Sequence, residues 1–317
     1  MNYRMLGNSG LKVSVLSFGA WQLGDSNYWG SLDYRQASET VRVALDHGIN
    51  LYDTAEIYGN GESEHVLAKS LGADRTRVVL ATKVLPQNCT AARLRASCEA
   101  SMKRMGTDYI DLYQIHWPFR QKPVLDTQGR PVSEAPNVME VCEVLRALQG
   151  EGKIRYVGLS NFGPKDMNEW FLHGSAESNQ IGYNLVSRAV EYDVLPASRV
   201  NQLGVLAYMP LLQGLLAGRW TSVDDIPIAR RRTRHFSGHR DGVRHGESGH
   251  EGALLSLIET LAAFSEAVNV SMATLCLCWV LAQPGVTSAI IGARVPKQLE
   301  RNLRAATLDL GPAGIAR

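Results

Sequence analysis

The chain has 317 residues, 45% of them hydrophobic, and a formal charge of only +2. It can therefore bury a large core, and it lacks the cationic excess that would favour nucleic acid or an anionic membrane as a partner. Its start is polar and turn-rich with no apolar leader, and the longest apolar run, residues 272–281, falls far short of the ~20 residues of a membrane span. Five scattered cysteines, Cys89, Cys98, Cys142, Cys276 and Cys278, include no C-x-x-C pair. That pattern suits buried thiols in a reducing cytoplasm better than a disulfide framework.

In chain order, residues 3–6 and 12–15 flank the turn Gly7-Asn8-Ser9-Gly10, which predicts an opening β-hairpin. Strands are predicted at 15–18, 50–52, 78–82, 110–115, 156–159, around Ile181, and at 205–207 and 289–291. Helical periodicity fills the gaps at 36–46, 62–70, 91–105, 138–149 and 190–202, then at 254–268 and 272–281. Eight strands separated by helices indicate an α/β fold with a parallel sheet. No internal repeat or linker divides the chain, so one domain over 1–317 and a monomer are expected.

Polar residues collect where these strands end: Asp53, Lys83, His116, Ser160-Asn161, Gln180 and Tyr208, with Gly292 to Arg294 after the last. An open sheet would not bring so many strand ends around one point. A closed (β/α)8 TIM barrel does, because all its C-terminal strand ends share one face. Two stretches lengthen the spacing, 119–136 and 218–252, and read as long loops over that face. Gly59-Asn60-Gly61 lacks the third glycine of a G-x-G-x-x-G fingerprint, and there is no Walker A motif, H-E-x-x-H or G-x-S-x-G, which argues against the chemistries those motifs serve.

The run Asp53-Thr54-Ala55-Glu56-Ile57-Tyr58-Gly59 places a tyrosine just beyond an acidic strand end. Free tyrosine, with a pKa of ~10, is a poor proton donor near neutrality. A neighbouring ammonium favours the phenolate and is expected to lower that value. Lys83, ending the next strand, is placed to supply it, with Asp53 holding the lysine. His116, before Trp117-Pro118, is placed to hydrogen-bond a carbonyl oxygen. Taken singly, each residue has a plainer reading: Asp53 or Ser160-Asn161 as helix caps, Lys83 as a solvated amine, His116 and Tyr208 as core packing, and Gly19-Ala20-Trp21 as a strand end. Together they describe a site that protonates an oxygen while a second group attacks the carbon.

The order of these residues resembles the aldo-keto reductase superfamily, in its bacterial type, from Tyr3-Arg4-Met5-Leu6-Gly7 to Glu300-Arg301-Asn302-Leu303. Asp53-Thr54-Ala55-x-x-Tyr58-Gly59, Gly158-Leu159-Ser160-Asn161-Phe162, Gln180 with Tyr183-Asn184, and Gly292-Ala293-Arg294 carry the likeness. The resemblance implies an NADP(H)-dependent carbonyl–alcohol oxidoreductase, with NAD(H) possible. Tyr58 would be the general acid, tuned by Lys83 and Asp53, and His116 would orient the carbonyl. Ser160, Asn161 and Gln180 would hold the nicotinamide carboxamide and Tyr208 its ring. Pro210, Leu211, Gln213 and Leu215 would lie along the pyrophosphate, and Gly292, Arg294, Gln298, Arg301 and Asn302 at the adenosine end, with Arg294 on a 2′-phosphate. Gly19, Ala20 and Trp21 would touch cofactor or substrate. Trp21 and Trp117, with Tyr28 or Trp29, suggest an aromatic pocket for a sugar or a planar aldehyde.

Two departures stand out. The family's Tyr-Ser-Pro-Leu reads Tyr208-Met209-Pro210-Leu211, and Arg301 replaces the usual glutamate before Asn302. Relatives of this fold also serve as cofactor-bound regulatory subunits with little turnover, and the four catalytic-type residues do not separate that role from an enzyme's. Finally, Ala229-Arg230-Arg231-Arg232-Thr233-Arg234-His235, followed by His239, Arg240, Arg244, His245 and His250, suits a solvated loop, a flap over cofactor phosphates or, less well given its glycines, a metal site. No metal is expected.

Overall fold

The computed structural model describes residues 1–119, 124–125, 131–133, 136–243 and 245–316. Strands β1 (Tyr3–Met5) and β2 (Lys12–Ser14) form the antiparallel hairpin. Then come β3 (Leu16–Gly19), β4 (Leu51–Asp53), β5 (Val79–Val84) and β6 (Ile110–Ile115). A small antiparallel pair follows, β7 (Val124–Leu125) and β8 (Pro131–Ser133), and after it β9 (Ile154–Ser160), β10 (Ser178–Gly182), β11 (Gly204–Tyr208) and β12 (Val286–Ile291). The strands β3-β4-β5-β6-β9-β10-β11-β12 pair in parallel and close on themselves as a barrel, as the strand-end pattern required.

Period-two alternation sorts each strand into two faces. Leu51, Val79, Ala81, Leu112, Leu206 and Ile290 point into the cylinder, where Leu6, Leu11 and Val13 of the hairpin join them. Phe18, Tyr52, Leu80, Tyr113, Ala207 and Ile291 point outward into the larger core shared with the helices. The hairpin lies under the N-terminal strand ends. Gly7 takes φ +53° there, and a Cβ at that position would lie 2.3 Å from the Glu177 carbonyl oxygen, so only glycine seats the hairpin this closely.

The helices are α1 (Ser26–Trp29), α2 (Tyr34–Asp46), α3 (Glu62–Leu71), α4 (Ala91–Met105), α5 (Val138–Gly150), α6 (Pro164–Phe171), α7 (Val194–Val200), α8 (Glu251–Ala267), α9 (Met272–Ala282), α10 (Pro296–Leu303) and α11 (Gly311–Ala316). Their local logic is ordinary. Asp33 caps α2 through the Arg35 and Gln36 amides, and the helix buries Ala37, Thr40, Val41 and Ala44 at three- and four-residue intervals. Asn137 caps α5 in the same way. The helix predicted over 190–202 is broken. A 3-10 turn at Ala189–Glu191 precedes α7, because Pro196 lacks an amide hydrogen and its ring excludes a continuous turn before it. Helices α1, α6, α10 and α11 are additional; α6 and α10 each start with proline, which suits the first helical position.

Of the loop predicted over 119–136, only Phe119, β7, β8 and Pro136 fall within the described residues. The loop over 218–252 is packed down: Trp220, Val223, Ile226 and Phe236 form a second core with Leu254 and Ile258 of α8 and Met272 and Cys276 of α9. Arg244 lies outside the described residues. Among those described, no single helix is long and apolar enough to cross a membrane.

Candidate active site

The barrel brings Asp53 at the end of β4, Lys83 in β5, and Gln114 and His116 at the end of β6 to one point. Lys83 is fully buried. Its Nζ donates to Asp53 Oδ2 at 2.6 Å, to the Thr54 carbonyl oxygen at 2.8 Å, and to the Tyr58 hydroxyl oxygen at a longer 3.4 Å. Tyr58 reaches over the mouth from a tight turn, Tyr58–Gly61, held from the opposite loop. Gly59 takes φ +58°, and a Cβ there would lie 2.0 Å from the Gly24 carbonyl oxygen, while Trp21 stacks on the Tyr58 ring at 5.6 Å.

The phenol's acidity differs from the sequence expectation. Burial pushes Tyr58 above its ordinary value; Lys83 pulls it down and Asp53 pushes it up, and the net direction is upward. The lysine acts as anticipated, but removal of water outweighs it. At neutral pH Tyr58 is therefore a protonated donor whose lost proton would leave a phenolate facing an ammonium. Burial acts to lower Lys83, yet Asp53 and then Tyr58 outweigh it and its ammonium is favoured.

His116 is pushed down to about 3, first by burial and then by the Lys83 charge. It is a neutral imidazole throughout the physiological range. Its Nδ1 is buried with no hydrogen-bond partner among the described residues, and its ring meets Tyr58 edge-on at 5.8 Å. A stability signature follows. The unfolded histidine takes up a proton below its ordinary value of 6.5 whereas the folded one resists until about 3, so its contribution is present above 6.5 and is lost as pH falls through that window. The expected slope is about 1.4 kcal/mol per pH unit. Denaturant titrations of the unmodified protein and His116→Gln should diverge between pH 6 and 4 by roughly that amount per unit; parallel curves would place a charged histidine here.

These groups sit at the inner end of a cleft of about 1000 Å³. Gly19, Trp21, Asp53, Tyr58, His116, Trp117, Ser160, Asn161, Gln180, Tyr208, Pro210, Leu211, Gln213, Gly292, Arg294, Gln298, Arg301 and Asn302 line it. Four residues named from the sequence do not: Ala20, Tyr28, Lys83 and Leu215. Ala20 is buried, with its amide donating to the Asp53 carbonyl and its own carbonyl accepting from Ser63. Leu215 faces the second core, because the chain reverses through φ +55° at Gln213 and +104° at Gly214. Lys83 lies behind Asp53 and Tyr58.

The loop residues are fixed by their own bonds. Asn161 adopts φ +63°, a left-handed conformation rare outside glycine. It is held there by Nδ2 donating to the His116 carbonyl and Ser160 Oγ, both at 3.0 Å, while Oδ1 accepts from the Tyr208 hydroxyl at 2.8 Å. Arg294, expected on a phosphate, turns its guanidinium onto the carbonyls of Trp29 and Ser31. Tyr28 of the same segment donates to Gln213 Oε1 at 2.6 Å, so α1 is strapped across the cleft.

The basic segment divides. Arg230 and Arg232 line the cleft, set over the rings of Trp29 at 4.7 Å and Tyr28 at 4.5 Å. Arg231 turns back to the Ile226 and Asp224 carbonyls, and Arg240 pairs with Asp224 and Glu251. His235 and His239 lie in turns, not on a helix, and no cluster of metal-binding side chains occurs among the described residues. Of the two aromatics offered as alternatives from the sequence, Trp29 lines the cleft; sequence reasoning missed Gln22, Lys297 and Gln114. Gln114 alone carried a signal: it precedes His116 by two, on the same face of β6.

The aldo/keto reductase family model matches residues 15–317. The chain is 33% identical over 315 residues to the aldo-keto reductase YhdN of Bacillus subtilis (strain 168), covering 95% of this chain and 87% of that protein. It is 30% identical over 328 residues to an NADH-specific methylglyoxal reductase of Escherichia coli (strain K12), covering 97% and 94%. A crystal structure of an aldo/keto reductase from Klebsiella pneumoniae in complex with NADP and acetate matches with a TM-score of 0.72 at 29% identity, covering 98% of this chain and 92% of that one. With a closed barrel of eight parallel strands and a family match spanning nearly its whole length, the chain belongs to the aldo/keto reductase family.

Proposed function

We propose that the chain, acting as one unit over 1–317 and as a monomer, is an NADP(H)-dependent oxidoreductase that interconverts an aldehyde or ketone and its alcohol, with NAD(H) as a second cofactor. The observation that carries this reading is the contact of Lys83 Nζ with both Asp53 and the Tyr58 hydroxyl at the inner end of the cleft. The outer end bears Arg294, Lys297 and Arg301 around Gly292. A long cleft with a proton donor at one end and cations at the other fits an extended, phosphate-bearing dinucleotide. The Klebsiella relative was solved with NADP, and the name of the Escherichia coli relative specifies NADH.

Ser160, Asn161 and Gln180 would hold the nicotinamide carboxamide, with Tyr208 against the ring. Pro210, Leu211 and Gln213 would flank the pyrophosphate, and Gly292, Arg294, Gln298, Arg301 and Asn302 the adenosine phosphate. A reduced nicotinamide held there would supply the hydride that the carbonyl carbon needs. The protein's part is the oxygen. Neutral His116 orients it by a hydrogen bond without competing for its proton, and Tyr58 gives up the phenolic proton as charge develops there. The resulting phenolate is stabilised by Lys83, whose charge Asp53 balances. Trp21 and Trp117 offer flat apolar walls to an aromatic aldehyde or a sugar face. NADPH oxidation with a panel of aldehydes and ketones tests the assignment; tight NADPH binding with no turnover of any carbonyl overturns it in favour of a cofactor-binding regulatory role.

Arg294→Ala is expected to weaken NADPH binding at least tenfold more than NADH binding, since an Arg–phosphate pair is charge-assisted and two-pronged. Fluorescence titration with both cofactors measures this. Equal losses would confine Arg294 to holding the segment around Trp29 and Ser31.

A further inference from the structure

Gln114 is buried inside the barrel, out of reach of solvent, and the proposed chemistry gives it no task. Its Nε2 donates to Asp53 Oδ1 at 3.0 Å, and its Oε1 accepts from Gln180 Nε2 at 3.1 Å. Gln180 Nε2 also donates to Asp53 Oδ1 at 2.8 Å. The intervening strand makes room for this bridge: a Cβ on Gly158 would lie 2.7 Å from Gln114 Cγ and 2.8 Å from Ser178 Oγ.

The orientation of both amides follows from one acceptor. An ionised carboxylate offers no hydrogen, so each amide group that meets Asp53 must present its nitrogen. With Gln114 nitrogen turned to Asp53, its oxygen faces Gln180 and takes the second hydrogen of Gln180 Nε2. Both Gln180 N–H bonds are then used. Gln180 lines the cleft, and what it has left to offer there is its carbonyl oxygen.

The geometry points to Gln114 as a positioning residue with two effects. It holds Asp53 in the rotamer that keeps Oδ2 on Lys83, and it fixes the Gln180 amide so that the cleft meets an acceptor, matched to the N–H₂ of a carboxamide. This rests on the carbonyl-reduction reading for its kinetic consequences, and on the cleft alone for its binding consequence.

Gln114→Leu removes both bonds at similar volume. Its expected signature is a kcat lower by about ten- to a hundredfold, the span of a hydrogen bond to a charged group. The alkaline limb of the kcat profile should move to lower pH as Asp53 loosens from Lys83, the KM of the carbonyl substrate should stay unchanged, and NADPH should bind more weakly. A fold-only role would lower thermal stability and leave the pH profile in place. Gly158→Ala, which pushes on Gln114 without altering its amide, should shift the same limb in the same direction. Wild-type kcat, pH profile and NADPH affinity in Gln114→Leu overturn the assignment. Should that variant not fold, the unmodified protein decides: the Gln180 side-chain amide protons should exchange slowly before NADPH is added, and fast exchange overturns the proposal. An unmodified protein that binds NADPH but reduces no carbonyl would sink the reductase reading, while NADPH affinity and amide exchange still judge Gln114.

Discussion

Tyr58→Phe should lower carbonyl reduction by about a thousandfold, within the range general acid catalysis supplies, while leaving NADPH affinity nearly unchanged. The substitution deletes one oxygen from a side chain whose ring remains stacked on Trp21, so the cleft keeps its shape. The loss should fall on kcat, because a proton is delivered only as the alkoxide forms and not when substrate binds. Steady-state kinetics with the best aldehyde of the panel, beside a fluorescence titration of NADPH, measures both quantities. A variant turning over near the unmodified rate would remove Tyr58 from the acid role.

Lys83→Met should be as damaging to turnover and, unlike the first change, costly to the fold. It leaves the buried Asp53 carboxylate with its two amide donors and without its counter-charge. Removing one partner of a buried ion pair costs about 3–5 kcal/mol. Chemical denaturation should show that loss, and adding Asp53→Asn should recover most of it by removing the stranded charge, with activity still absent. If the double variant is no more stable than the single one, the Lys83–Asp53 pair at 2.6 Å is not what the barrel mouth depends on. Recovery of activity in the double variant would show that neither charge serves the phenol.

The parts of this site that could be read from the sequence are those a single strand determines. Asp53, Lys83, His116, Ser160 and Tyr208 each follow a short apolar run, and closure of the barrel converts that local pattern into a shared location. Gln114 was passed over because it lies within a strand, between Tyr113 and Ile115, where only alternation marks it as inward-facing. The sign of the Tyr58 shift was not legible for a different reason. Sequence supplies the lysine, but the water excluded from around the phenol depends on Trp21 and Gly24, more than thirty residues away in the chain.

Loops were legible as loops and not by destination. The run Arg230-Arg231-Arg232 looks uniform, yet Arg230 and Arg232 meet Trp29 and Tyr28 while Arg231 turns back onto its own segment. That division is set by aromatic rings brought in from the loop after β3. Arg294 shows the same limit, since its carbonyl partners lie 263 and 265 residues away. The broken helix before α7 could have been anticipated, because Pro196 was visible throughout.

The hairpin closes the barrel at the end opposite the cleft. Leu6, Leu11 and Val13 are seated with the inward-facing Leu51, Ala81 and Leu112, and the hydrogen-bonded pair Ser17 and Ser288 is buried in the same barrel. Tyr58 itself opens on the cleft, so under the proposed chemistry the proton it gives up would have a direct way back through the entrance by which the alcohol leaves. On that reading, one opening would serve both product release and the reloading of the phenol.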